Sequence, residues 1–177
     1  MNPWPDLRPI LLGVQWAIIG GVATRAYMPE RMTKDLDIII HEKDGEGAVN
    51  KLREAGYQVV SQLAIPGYLM LAPDGTELDV IFGKDRWLKE ALDRPTTDSA
   101  GYPVLALPYL VILKMAAQRP QDWADISRML GWASDADLDE VRAVVKKYTP
   151  QDIEDLESLI FIGKKERESP PPDQASI

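Results

Sequence analysis

Apolar positions fall into short runs of strand length before about residue 85 and into longer helical stretches after it. Val14 to Ile19 is an apolar run that stops at Gly20-Gly21, the pattern of a buried strand entering a tight turn. Val22 to Met28 suits a short helix stopped by Pro29, and Glu30 to Lys34 makes a polar loop. Asp35 to Ile40 predicts the next strand, apolar and β-branched apart from its two acids. Gly47 to Ala55 predicts a helix closed by Gly56. Tyr57 to Gln62 and Tyr68 to Ala72 predict strands, and Asp74-Gly75 is a hairpin signal joining the second of them to Thr76–Phe82.

Helical character takes over at Asp85. Asp85 to Leu92 predicts a short amphipathic helix and Tyr102 to Leu107 a last strand. Pro108 fits the first position of a helix running to about Gln118, and Pro120 begins another. Ser134 with Asp137, and Thr149 with Pro150 and Asp152, predict N-caps of two more helices. The order of elements predicts an α+β fold with a mixed sheet, followed by a C-terminal helical segment. The expected divisions are a core over 1–107, a helical segment over 108–163 packed on it, and a disordered tail over 164–177 around Pro170-Pro171-Pro172.

Composition narrows the chemistry. The 177 residues include no Cys and one His, which excludes disulfides, thiol nucleophiles, Cys-based zinc sites and poly-His metal sites. No apolar stretch reaches the roughly 18 residues that span a membrane. The start, Met1 to Asp6, lacks the basic lead of a signal peptide, so a cytoplasmic protein without membrane partners is expected. A net charge of −8 argues against broad electrostatic gripping of nucleic acid, though not against a local basic patch.

Asp35 and Asp37 are two apart on a predicted strand and so share a face, as do Glu77 and Asp79 on another. If the two strands are neighbours, three or four carboxylates gather at one end of the sheet. Two like charges about 4 Å apart repel by about 4 kcal/mol at an effective dielectric near 20. The cluster must therefore take up a proton or hold a cation. Oxygen-only ligands select a hard ion, Mg²⁺ or Mn²⁺. Gly20-Gly21, between a strand and a helix, lets backbone approach a phosphate closely.

Ile19-Gly20-Gly21, thirteen intervening residues, Asp35-Leu36-Asp37 and the later Asp79 together resemble the nucleotidyltransferase superfamily related to DNA polymerase β. The run from Gly20 to Asp37 is similar to AbiEii-type toxins and minimal nucleotidyltransferases. Lys114, Arg119 and Asp122-Trp123-Ala124-Asp125 match a helical segment of those families, so the resemblance spans roughly Trp16 to Leu130. It implies a polymerase β-like core that moves an NMP from an NTP to an acceptor hydroxyl. Asp35, Asp37 and Asp79 would be catalytic and metal-binding; Gly20, Gly21, Arg31, Thr33 and Lys114 would bind the nucleotide. The acceptor would be an RNA or tRNA end or a protein, with an antitoxin as a possible partner. The alternatives are an antibiotic-type small-molecule nucleotidyltransferase and a nucleotide-binding relic without catalysis.

Several of these residues also have plain structural readings. Arg31 and Thr33 suit a surface loop as well as a phosphate loop, and Thr33 could brace that loop by a side-chain bond. Arg25 is read as a solvated face or a phosphate contact. Lys114, inside the apolar run Leu110 to Ala117, needs an anionic partner: a phosphate, or Asp122 or Asp125. Glu77 is expected to face solvent, His41 to sit in a surface loop, and the Trp residues at 87, 123 and 132 to join the core.

Overall fold

The computed structural model describes residues 4–29, 33 and 35–168. The chain forms two compact units, Met1–Ala106 and Leu107–Ile177. The first is built on a mixed sheet of seven strands in the order β3-β4-β5-β2-β1-β7-β6. Its strands are β1 (Trp16–Ile19), β2 (Leu36–His41), β3 (Gln58–Gln62), β4 (Gly67–Leu71), β5 (Glu77–Gly83), β6 (Thr96–Thr97) and β7 (Pro103–Val104). β2 lies antiparallel to β1 and parallel to β5, while β4 closes antiparallel on β5 through the Asp74-Gly75 turn. The α+β class, the mixed sheet and the helical C-terminal part are as the sequence predicts.

Burial fixes the register of the central strands. Leu36, Ile38 and Ile40 of β2 and Leu78 and Val80 of β5 are fully buried. A one-residue slip would turn these side chains to the opposite face. Helix α2 (Glu42–Glu54) packs on their side of the sheet so closely that a β-carbon on Gly45 would lie 2.6 Å from the Phe82 ring. Helix α3 (Leu88–Asp93) packs on the other side, where Gly83 faces Leu88 and Ile39. That second face carries Asp37 and Asp79, since side chains alternate along each strand.

Several boundaries differ from those the sequence predicts. α2 starts five residues earlier than Gly47 (42 against 47), because His41 caps it: ring Nδ1 accepts from the Lys43 amide at 3.3 Å. Glu42 and Asp44 then sit where a helix N-terminus favours acids, outweighing the two glycines. His41 is thus a strand-end cap, not a loop residue. The predicted helix from Val22 is a four-residue α1 (Gly20–Ala23) continued by a 3₁₀ turn at Thr24–Ala26. The last strand shrinks to Pro103–Val104, since Pro103 lacks an amide to donate and Leu107 already opens the next helix.

The second unit comprises α4 (Leu107–Ala117), α5 (Pro120–Trp132), α6 (Asp135–Tyr148) and α7 (Ile153–Glu168). Ser134 and Asp137 form the predicted capping box of α6. Thr149 instead makes no side-chain cap, and its hydroxyl is buried without a partner. α7 runs through Lys164–Glu168, where the sequence predicts a tail. Those residues are held: Lys164 Nζ donates to the Ala133 carbonyl at 2.8 Å, and Arg167 donates to Gly131 and stacks on Trp132. Trp132 is consequently half exposed beneath that guanidinium, not core, and Trp123 is only partly buried, whereas Trp87 is buried as expected. The remaining tail, with its prolines, lies outside the described residues. No helix among the described residues is long and apolar enough to cross a membrane.

α5 and α7 meet backbone to backbone. A β-carbon on Gly163 would lie 1.9 Å from the Ser127 carbonyl oxygen, and one on Gly131 would lie 2.4 Å from the Gly163 carbonyl oxygen. Neither obstacle is a side chain that can rotate away. Gly163→Ala is therefore expected to cost about 1–3 kcal/mol of unfolding free energy, the usual range for overpacking. Urea denaturation of the variant beside wild type checks this.

Candidate active site

The register of the central strands brings the predicted acids together. Asp37 of β2 pairs directly with Asp79 of β5, and on its other side Asp37 pairs with Ile19, the last residue of β1. Register partners on adjacent strands project from the same face, so both acidic side chains leave one face of the sheet. Asp35 immediately precedes β2 and is exposed; Asp37 and Asp79 are half-buried. Burial pushes the Asp79 carboxyl above its ordinary value of 3.8, and the negative charges of Asp35 and then Glu77 push the same way. Asp35 thus lies within electrostatic reach of Asp79. Glu77, exposed as expected, belongs to the same negative field without pairing across from Asp37.

Beside these acids the chain turns. Gly20 takes φ +65, a left-handed conformation that costs an L-residue roughly 1–2 kcal/mol. Ile19 occupies the cap position of α1 and offers no side-chain acceptor to the first amides of that helix. Thr24, fully buried, bonds back through its hydroxyl to the Gly21 carbonyl at 2.7 Å and fixes the turn. In the following loop, Thr33 Oγ1 donates to the Asp35 carbonyl at 3.2 Å, which braces the approach to β2. Arg31 lies outside the described residues.

The donor chemistry suits a hard divalent ion: oxygen ligands only, two of them on residues in direct register, with Asp35 adding to the proton affinity of Asp79. No group of three or more His, Cys, Asp or Glu among the described residues is gathered closely enough to hold one as the side chains stand. Backbone register supplies the placement, and side-chain rotation would have to close the set.

Two cationic residues have partners that the sequence could not assign. Arg25 pairs with Asp98, a buried acid that also accepts the amides of Ala100 and Tyr102 at 2.9 Å each. This explains Arg25 as a loop anchor, not a solvated face. In the second unit Lys114 is 4% exposed and donates to Asp122 at 2.8 Å and Asp125 at 2.9 Å. Arg119 reaches Asp122 from the surface at 2.6 Å, and Gln121 reaches Asp125 at 2.9 Å. Of the partners weighed for Lys114, the carboxylates are the ones it has.

Among solved structures, the chain is similar to the antibiotic-resistance factor ANT(2'')-Ia in solution. That likeness has a TM-score of 0.46 and 15% identity, and it covers 88% of this chain and 86% of that one. A crystal structure of ANT(2'')-Ia in complex with adenylyl-2''-tobramycin gives a TM-score of 0.42 and 16% identity, over 88% of this chain and 90% of that one. No family model matches the chain, and no curated protein does. Superpositions this loose leave activity and substrate to the site itself.

The buried network of the second unit has a measurable signature. Removing one member of a buried ion pair strands the other, at about 3–5 kcal/mol, whereas an exposed partner contributes under about 1 kcal/mol. Lys114→Met is expected to cost the former and Arg119→Ala, whose side chain is 70% exposed, no more than the latter. Burial alone would raise the Asp122 carboxyl. The bonds from Arg119 and Lys114 outweigh it and hold the group below its ordinary 3.8. The stability it supplies is present above 3.8 and is lost as pH falls through the lowered folded-state value. Acid unfolding curves of wild type and Asp122→Asn test this, and the variant should lack that segment of the pH dependence.

Proposed function

We propose that the chain is a divalent-metal-dependent nucleotidyltransferase that moves a nucleoside monophosphate from an NTP to an acceptor hydroxyl. The observation that carries this reading is the pairing of Asp37 with Asp79 on central parallel strands, beside the Gly20-Gly21 turn and within the field of Asp35. Magnesium or manganese, when bound by Asp35, Asp37 and Asp79, would neutralise charge on the transferring phosphoryl group and activate the attacking oxygen.

The protein's own groups divide the remaining work. Asp37 is held in its strand between Ile19 and Asp79, so its carboxylate offers a fixed oxygen at the floor of the site. Asp35, exposed just before β2, would have to turn its side chain inward to complete the set. Asp79, in register with Asp37, would also take the acceptor hydroxyl's proton. A bond then forms from the acceptor oxygen to the α-phosphorus, the α–β bridging bond breaks, and pyrophosphate leaves. The backbone of Gly20 and Gly21 would receive the outer phosphates, Arg31 would clamp phosphate oxygens, and Thr33 would brace the approach to β2.

For the acceptor, a small hydroxyl compound stands ahead of an RNA end or a protein. A net charge of −8 repels polyanions and favours cationic partners. The toxin-type reading draws on the run Gly20 to Asp37, which suits either acceptor, and on Lys114, Arg119, Asp122 and Asp125, whose described ion pairs are among themselves. Their pattern thus has a structural explanation that needs neither nucleotide nor antitoxin.

The test is transfer from NTPs labelled at the α- or γ-phosphate, offering small hydroxyl compounds, total RNA and lysate protein separately. Label from the α-phosphate on the small compounds is expected. Transfer of γ label alone would make the enzyme a phosphotransferase and end this reading. Asp37→Asn and Asp79→Asn should each lower the rate roughly 10²-fold or more, since charge stabilisation worth several kcal/mol is at stake.

A further inference from the structure

We infer that Gly20 is a positioning residue for Asp37: the missing side chain at this turn is what allows the Asp37 carboxylate to lie against it. The inference rests on reading Asp37 as a carboxylate of the active site, and it assigns Gly20 a task separate from any contact with phosphate. β1 ends at Ile19, whose partner across the ladder is Asp37, and the chain departs from the sheet at the next residue. A β-carbon at Gly20 would stand 1.9 Å from Asp37 Oδ2, 2.7 Å from its Cγ and 3.1 Å from its Cβ. Rotating the carboxylate away relieves the first two contacts but leaves the third. A side chain at 20 therefore both displaces the carboxylate from its seat and presses on the strand that carries it.

Two other left-handed glycines lack this second demand. At Gly13 and Gly75 a β-carbon would meet nothing within 4 Å, so those positions answer only a backbone requirement. Gly20 answers two requirements, and they can be separated. The conformational cost of a left-handed Ala at 20 is the same whatever residue stands at 37. Within the steric cost, the two shortest contacts, to Oδ2 and Cγ, exist only while Asp37 keeps its carboxylate, and the 3.1 Å contact to Cβ is common to both backgrounds.

A double-mutant cycle on stability isolates that second cost. Gly20→Ala is made in the wild-type and Asp37→Ala backgrounds, and each pair is unfolded in urea without metal or nucleotide. The expected result is a rise in the unfolding equilibrium constant roughly tenfold larger in the background that retains Asp37. Additive effects would overturn the inference. Should Gly20→Ala not fold, Gly20→Asn carries the same β-carbon with a backbone that tolerates the left-handed region, and it runs the same cycle.

Manganese affinity, read by electron paramagnetic resonance, gives a readout that a purely structural glycine would not move. Gly20→Ala is expected to weaken Mn²⁺ binding about tenfold or more. Gly75→Ala, left-handed but in open space, is expected to leave it unchanged. Wild-type affinity in Gly20→Ala would also overturn the inference. If wild type itself binds no Mn²⁺, the metal reading of the site fails, while the stability cycle still decides the role of Gly20.

Discussion

The parallel pairing of β2 with β5 is the constraint on which the rest of the site depends. It sets Asp37 opposite Asp79 with no freedom to slip, because Leu36, Ile38, Ile40, Leu78 and Val80 occupy the opposite face and are buried. Moving either strand by one residue would bring those apolar side chains to the acid face and bury the acids instead. The hydrophobic core thereby sets both acids on one face of the sheet. Burial first, and then the charges of Asp35 and Glu77, raise the proton affinity of Asp79 there. On the proposed reading, a divalent cation would offset that cost.

Close backbone approach recurs as the means by which the fold makes room. Gly20 makes way for the Asp37 carboxylate, Gly45 lets α2 settle on the Phe82 ring, and Gly131 and Gly163 let two helices touch. Inside the helical unit the difficulty is different, since a buried lysine has to be neutralised. Asp122 and Asp125 do this from the next helix, and Arg119 restores the balance from the surface. The result is a buried lysine held by two buried carboxylates, a structural use of residues that motif matching would assign to a ligand.

What the sequence made legible was local or patterned. The Asp74-Gly75 hairpin, the Ser134–Asp137 capping box and the apolar face of β2 follow from turn chemistry, capping and side-chain alternation, and all three are present. The shared face of Glu77 and Asp79 was legible too, whereas Asp35 falls just outside β2; that the two strands would be neighbours was not legible, since α2, β3 and β4 intervene. The start of α2 was hidden because Gly45 and Gly47 depress helix propensity, while the His41 cap and the packing on Phe82 that offset them involve tertiary context. Arg25 and Asp98 are 73 residues apart, beyond the reach of any periodicity. Lys114 could be seen to need an anion, but choosing between phosphate and aspartate required the geometry of α4 against α5.

The most direct test of the central claim, that the paired strands carry a cation site, is to follow the carboxyl carbons of Asp35, Asp37 and Asp79 by ¹³C NMR during a Mg²⁺ titration. The account predicts that all three resonances move together and saturate. It also predicts that the elevated titration midpoint of Asp79 falls once the cation is bound, because a positive charge replaces the proton. Resonances that stay put, with Asp79 still titrating above its ordinary value at saturating Mg²⁺, would contradict it.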